Sequence, residues 1–476
     1  MRILAEIDLD DLLTLPSSTL YSLLEPLKKP AFDDDERIVL VAANDIPDDL
    51  IKHLRWCLIH LDIPEYFILL RTNSESNKSR LSDIASESLD DICASIDHGH
   101  RPIFDHLNLC AHMHTGLHVW PDGKMSPCCD YDGYLSDEDG NDLSLHDTDL
   151  QSVLAGHDMD RLRRSMIQGK RPKQCSKCWD LEEAGKDSRR TLAPYRLSNI
   201  YGKINWEKLD PISYIGSHPT NHCNLSCRIC NSRYSSKIAV EDRKLGLHYT
   251  SNKSPIDKLY DQISGSKTIR SFEILGGEPF LMKQHLDYMD QIIRDGIAEE
   301  SVFQFTTNGT VFPSFFNEDF RFKRLEITFS IDDIGQRFEY QRNGAKWDSV
   351  LANLESFKDF RARNGNVKLG VNTTVSILNV AYLTQLMDWF GSSGLDHHHF
   401  SILSEPSCLA IGNMTSEAKD LVLHLLDERF SHIKKTIVNG RGSDGSEFRS
   451  YIIAKDRVRQ QDLRDHHMEI AHAMGL

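Results

Sequence analysis

The sequence predicts an α/β protein built around a parallel sheet, open or partly closed into a barrel. Six short apolar runs of strand type recur at 212–217, 271–275, 302–306, 324–330, 368–375 and 398–403. Amphipathic helical patterns fill most of the gaps, for example at 284–294, 347–360 and 380–390. Strands that alternate with helices in this way pair in parallel, and the loops after their C-terminal ends carry the chemistry of such folds. The composition, 40% hydrophobic and 26% charged, suits a globular interior of this kind.

The remaining elements follow in chain order. The 476 residues exceed one ordinary domain. Residues 1–105 read as a small α/β unit, with strands at 36–44 and 66–71 and helices at 46–61 and 82–96. No motif there carries chemistry, which leaves a scaffold or recognition role. At 117–120 and 125–128 two short strands flank the turn PDGK and predict a hairpin. The acidic stretch 132–149 is expected to be a mobile loop, 150–167 one helix, and 415–475 two amphipathic helices.

No apolar run approaches the ~20 residues that span a bilayer. The acidic start, MRILAEIDLDDLL, lacks a signal-peptide layout. A cytoplasmic protein with no membrane contact is expected. The net charge of −16 argues against binding nucleic acid by neutralising phosphates.

Eight of the 11 cysteines fall into three groups, at 110–129, 175–178 and 223–230, and Cys57, Cys93 and Cys408 stand apart. In a reducing compartment such groups point to metal. The tightest is TNHCNLSCRICN at 220–231, where Cys223, Cys227 and Cys230 make a C-x3-C-x2-C loop after the first strand of the β/α run. At this cysteine content, chance supplies only ~0.006 such matches. Three thiolates on one loop can ligate three irons of a cubane whose usual set is four cysteines. The fourth iron is then open to the amino and carboxylate groups of a methionine-like molecule. A zinc knuckle, with His222 as a further ligand, is the alternative that spacing leaves open.

The loop resembles the signature of the radical S-adenosylmethionine (SAM) superfamily, and three later features resemble it in the same order. Gly276-Gly277-Glu278-Pro279, after the second strand, is similar to the GGE motif whose backbone and glutamate hold the amino group of SAM. Asn308, in the TNG turn after the third strand, matches the polar position that contacts ribose or carboxylate. Ser330 and Asp332 end the fourth strand, with Arg342 downstream; by resemblance Ser330 and Arg342 reach the ribose and carboxylate. Each alone would pass for a turn or a solvated loop. The position before the last cysteine, commonly aromatic in the superfamily, is Ile229, which would pack on adenine. Asn372, on the fifth strand, is expected to face the SAM site. The resemblance implies a partial (β/α)6 TIM-like barrel over 206–410, with 411–476 as a helical cap.

Upstream, Cys110 and Cys128 bracket Gly123 in a pattern similar to the C-x(9–15)-G-x4-C half of SPASM and twitch auxiliary-cluster domains, and Cys175 and Cys178 form a C-x2-C pair. Residues 106–205 are therefore expected to hold a second 4Fe–4S cluster on Cys110, Cys128, Cys175 and Cys178. The group precedes the core here, whereas those domains usually follow it. A structural zinc is the competing occupant. His112, His114 and His118 lie nearby and are read as strand or loop side chains.

The resemblance implies an enzyme that reductively cleaves SAM to a 5′-deoxyadenosyl radical and abstracts hydrogen from a substrate. A peptide or protein is the first choice and a sugar or other small natural product the second. The electron would come from a flavodoxin or ferredoxin. Cys408, after the sixth strand and outside every ligand set, is the candidate hydrogen donor. The rival of another class is a non-catalytic iron–sulfur or zinc protein that binds a partner.

Overall fold

The computed structural model describes residues 2–8, 36–42, 68–72 and 109–476, the last range without 184–186, 198, 202–203, 205–208, 248–252, 265 and 318–321. The helices expected at 46–61 and 82–96, with Cys57 and Cys93, lie outside the described residues. The chain divides into two compact units. One comprises 1–115, 130–132 and 155–210; the other comprises 116–129, 133–154 and 211–476.

In the first unit, strands β1 (Arg2–Asp8), β2 (Glu36–Ala42) and β3 (Ile68–Thr72) form a parallel sheet in that order. The sequence signalled the second and third but not the first. Of the single helix expected at 150–167, only His157–Ile167 lies in this unit, and it begins at Gly156, where the chain turns extended. Leu162 and Met166 bury one face of that helix, and Arg163 donates to the carbonyl of Met113 at 2.9 Å.

The second unit holds an eight-stranded sheet. Its strands are β4 (Gly116–Val119), β5 (Met125–Ser126), β6 (Tyr214–Ser217), β8 (Ser271–Ile274), β9 (Val302–Thr307), β10 (Arg324–Ser330), β12 (Val367–Val375) and β13 (His397–Ile402). Their order is β13-β12-β10-β9-β8-β6-β4-β5. Every pairing is parallel except the β4–β5 hairpin. Among the described residues the ladder ends at β5 and β13 and does not close on itself. The hairpin expected from PDGK is therefore a continuation of the main sheet beside β6. Gly123, at φ +85°, makes its turn.

The two faces of this sheet differ. Along β10, Leu325, Ile327 and Phe329 are buried, while Arg324, Glu326, Thr328 and Ser330 remain half-open. Period-2 alternation makes those two sets opposite faces. The helix Trp347–Arg363 buries Val350, Leu354, Phe357 and Phe360. Phe357 meets Phe329 at 5.2 Å, Phe316 at 5.4 Å and Phe312 at 4.8 Å between ring centroids. Truncating such a buried aromatic costs about 3–5 kcal/mol.

Two expectations are corrected. The acidic stretch is pinned to the hairpin, because Leu135 N–H donates to Met125 and Leu145 N–H to Gly123 while both leucines are fully buried. The C-terminal segment forms four helices, Ser416–Leu425, Ser431–Asn439, Ser446–Arg459 and Met468–Ala473, where two were expected. Among the described residues no helix is long and apolar enough to cross a membrane.

Candidate metal centre

The loop after β6 carries Cys223, Cys227 and Cys230. Two backbone devices fix it. Ser226–Cys227 forms the short strand β7, paired antiparallel with β11 (Arg342–Asn343), so that Arg342 sits opposite Cys227. The turn after β8 packs on the residues just before Cys223: Gly277 N–H donates to Thr220 C=O at 3.1 Å and Glu278 N–H to His222 C=O at 2.9 Å. A Cβ on Gly277 would stand 2.0 Å from the His222 oxygen. Only glycine permits that approach.

Cys223 and Cys227 are buried and Cys230 is half-buried. Burial pushes the Cys223 thiol up to about 12, with Cys227 raising it further. Burial likewise raises Cys230, and both other sulfurs add to the rise. Cys227 is raised by burial against the opposing charge of Arg342. The three sulfurs thus act on one another, and a cation that claims them must displace their protons. Among the described residues no group of three or more His, Cys, Asp or Glu side chains is placed to hold a metal ion. The side chain of His222 is exposed.

Glu278 is fully buried, and its oxygens accept from Thr307 Oγ1 at 2.7 Å, Asn308 N at 2.7 Å and Phe280 N at 3.2 Å. Burial lifts its carboxyl to about 7 against those donors. The glutamate therefore ties the GGEP turn to the TNG turn, and its three hydrogen bonds all come from its own chain. Asn308 Nδ2 donates to Asn224 Oδ1 at 2.9 Å and lies 3.9 Å from Cys223 Sγ. Asn224 in turn donates to Thr310 Oγ1, which donates to Asn308 Oδ1. The sequence reading missed Asn224 and Thr310, although Asn224 stands inside the cysteine motif.

Arg342 Nη2 stands 2.8 Å from Asp332 Oδ2, and Arg342 Nη1 stands 3.8 Å from Cys227 Sγ. Asp332 also accepts from Thr374 N at 2.9 Å. Ser330 is the cross-strand partner of Asn372, and both are half-buried. Asn372 Oδ1 accepts from Ser401 at 3.0 Å. Ile229 is half-buried beside the last cysteine. Pro279 begins the 3-10 turn that Glu278 caps.

The helix Ser446–Arg459 reaches the same loop. Arg228, fully buried between Cys227 and Ile229, lies over the Tyr340 ring at 3.7 Å and donates to Asp456 and Gln461. Arg459 forks onto Glu241, on the helix Ser236–Lys244 that packs against the strand Ser226–Cys227. Among the described residues the buried atoms Arg342 Nε and Arg459 Nη1 meet no acceptor. With Arg228 Nη1, also without an acceptor, these are three orphaned cationic donors on the cysteine loop and the elements packed against it, and they fit an anionic occupant such as a thiolate-bound iron–sulfur cluster.

Cys408 lies apart, half-buried beside the helix Ser446–Arg459, where burial and then Glu447 push its thiol up to about 11. In the first unit, Cys110, Cys175 and Cys178 are mutually close. Burial raises Cys110 to about 11, followed by Cys178, and Cys175 is raised by burial and by both partners. In the second unit Cys128 is buried, with its carbonyl accepting from Ser126 Oγ, which itself accepts from Trp120 Nε1.

No family model matches the chain, and comparison with curated proteins finds no relative. Among solved structures, native anSMEcpe with bound AdoMet is 16% identical at a TM-score of 0.31, over 41% of this chain and 52% of that one. The same protein with bound AdoMet and Kp18Cys peptide gives 17% and 0.30 over the same shares. Streptococcus suis SuiB bound to S-adenosylmethionine gives 14% and 0.32, over 62% of this chain and 64% of that one. The match thus spans about half of anSMEcpe, and likenesses this distant carry no argument about activity.

Proposed function

We propose that this chain is a radical SAM enzyme whose core cluster is held by Cys223, Cys227 and Cys230. The observation that carries the reading is the packing of the cysteine loop on the GGEP turn at Gly277. It sets three thiols, two buried and one half-buried, beside Asn308 and Arg342 at the C-terminal ends of parallel strands. Held by these cysteines, a reduced cluster would supply one-electron reduction of SAM, in which the C5′–S bond breaks to give methionine and a 5′-deoxyadenosyl radical able to take hydrogen from the substrate.

The chain's own groups would then act as follows. The backbone of Gly276 and Gly277 is the part of the GGEP turn left to hold the amino group, since the Glu278 carboxylate is engaged within the chain. Arg342, oriented by Asp332, would offer Nε to a carboxylate or a sulfide. Ser330, Asn372 and Asn308 would line the ribose side, with Ile229 against adenine. Cys110, Cys128, Cys175 and Cys178 are the ligands we assign to an auxiliary cluster. A peptide or protein is our substrate reading, on the resemblance of that cysteine pattern to SPASM and twitch domains. Cys408 remains a candidate hydrogen donor.

The test is anaerobic reconstitution with iron and sulfide, reduction, and a search for 5′-deoxyadenosine. Its formation from SAM supports the reading. A protein loaded with iron and sulfide that forms none overturns it.

A further inference from the structure

The helix Ser446–Arg459 belongs to the segment read from sequence as a cap, yet it ends against the cysteine loop. Three ion-paired contacts hold it there, each joining residues more than 200 positions apart. Arg228 donates to Asp456, Lys455 Nζ stands 2.7 Å from Asp242, and Arg459 bonds Glu241 at 3.1 and 2.7 Å through Nε and Nη2. The next residue, Gln460, has φ +56°, the one positive φ at a non-glycine among the described residues. That reversal lets Gln461 turn back to Arg228.

The side chain of Arg459 is 3% exposed, and its Nη1 is a buried donor with no acceptor. A buried N–H left unmade is costly, so an atom held there by a bidentate partner marks a place for something that accepts. Its partner Glu241 lies on the helix Ser236–Lys244, which packs on the strand Ser226–Cys227. Arg342, paired opposite Cys227 on that same strand, presents its own unmet Nε.

We propose that Arg459 contacts the cofactor, its Nη1 donating to the anionic group held at Cys227, either a cluster sulfide or the carboxylate of SAM. The proposal rests on the radical SAM reading and adds the helix Ser446–Arg459 to the site. A hydrogen bond or positive charge beside a cluster stabilises its reduced, more negative form, and hydrogen bonds to the sulfurs are among the levers on potential. Losing the donor therefore lowers the midpoint potential. Losing a contact to the SAM carboxylate weakens SAM binding instead.

The experiment compares wild type, Arg459→Lys, Arg459→Gln and the pair Glu241→Gln/Arg459→Gln. The pair removes the carboxylate that the single glutamine variant would strand. Iron and sulfide content and circular dichroism check loading and fold. EPR-monitored titration without SAM reads the core potential, and equilibrium binding reads SAM affinity. A shift of at least tenfold in the reduction equilibrium, about 59 mV for one electron, in both glutamine variants and less in the lysine variant identifies a sulfide. An unchanged potential with at least tenfold weaker SAM binding identifies the carboxylate. Loaded variants with wild-type potential and wild-type SAM affinity overturn the inference and leave the enzyme reading intact. A wild type that takes up no iron overturns both.

Discussion

The carboxylate of Asp332 holds the guanidinium of Arg342 at 2.8 Å with both side chains buried. Removing one partner leaves the other charged and dry. Asp332→Asn should therefore destabilise the apoprotein by about 3–5 kcal/mol, read as a lower urea midpoint at unchanged slope. A loss under about 1 kcal/mol would mean that water already reaches Arg342.

Gly277→Ala puts a methyl group 2.0 Å from the His222 oxygen, between two backbones that cannot swing aside. The expected cost is about 2–3 kcal/mol or more, accompanied by lower iron uptake. Gly365→Ala, where nothing lies within 4 Å, should be close to neutral by comparison. Equal behaviour of the two variants would show that the GGEP turn does not set the cysteine loop.

Glu278 gives the apoprotein a pH signature. Its carboxyl sits at about 7 in the fold against an ordinary 4.5. A raised folded value adds stability that is complete below the ordinary value and is lost as pH climbs through 7. Wild type should thus lose up to about 3 kcal/mol relative to Glu278→Gln between about pH 5 and pH 8. Parallel pH curves for the two proteins would refute the assignment.

Cys175→Ser combined with Cys178→Ser should remove about four irons per chain and leave the core cluster's spectrum in place. Metal analysis that finds zinc in wild type and none in the variant would replace the auxiliary cluster with a structural zinc.

The legible parts of the molecule were those whose signal is local. RLEITFS alternates with period 2, and β10 has the bounds that alternation predicts. PDGK marked the hairpin, and the cysteine spacing marked the loop. Nothing local shows that β4 pairs with β6, about a hundred residues away. The expected 150–167 helix ran past Gly156, and the four helices of 415–475 were read as two, although glycines at 440–445 and the turn at Gln460 interrupt that segment. Arg459 had no sequence signal, because its partner Glu241 lies 218 positions away. Glu278 was recognised as a motif residue, but its contacts with Thr307 and Asn308 appear only once the two turns are folded together.

The account depends on the fourth iron having no protein thiolate, so the most direct test is ENDOR spectroscopy of the reduced, loaded protein with SAM labelled at its amino nitrogen and carboxylate oxygen. Coupling of both labels to the cluster, lost in Cys227→Ala, is the predicted result. A complete cluster that binds SAM with no such coupling, or one whose four irons all carry protein ligands, would contradict it.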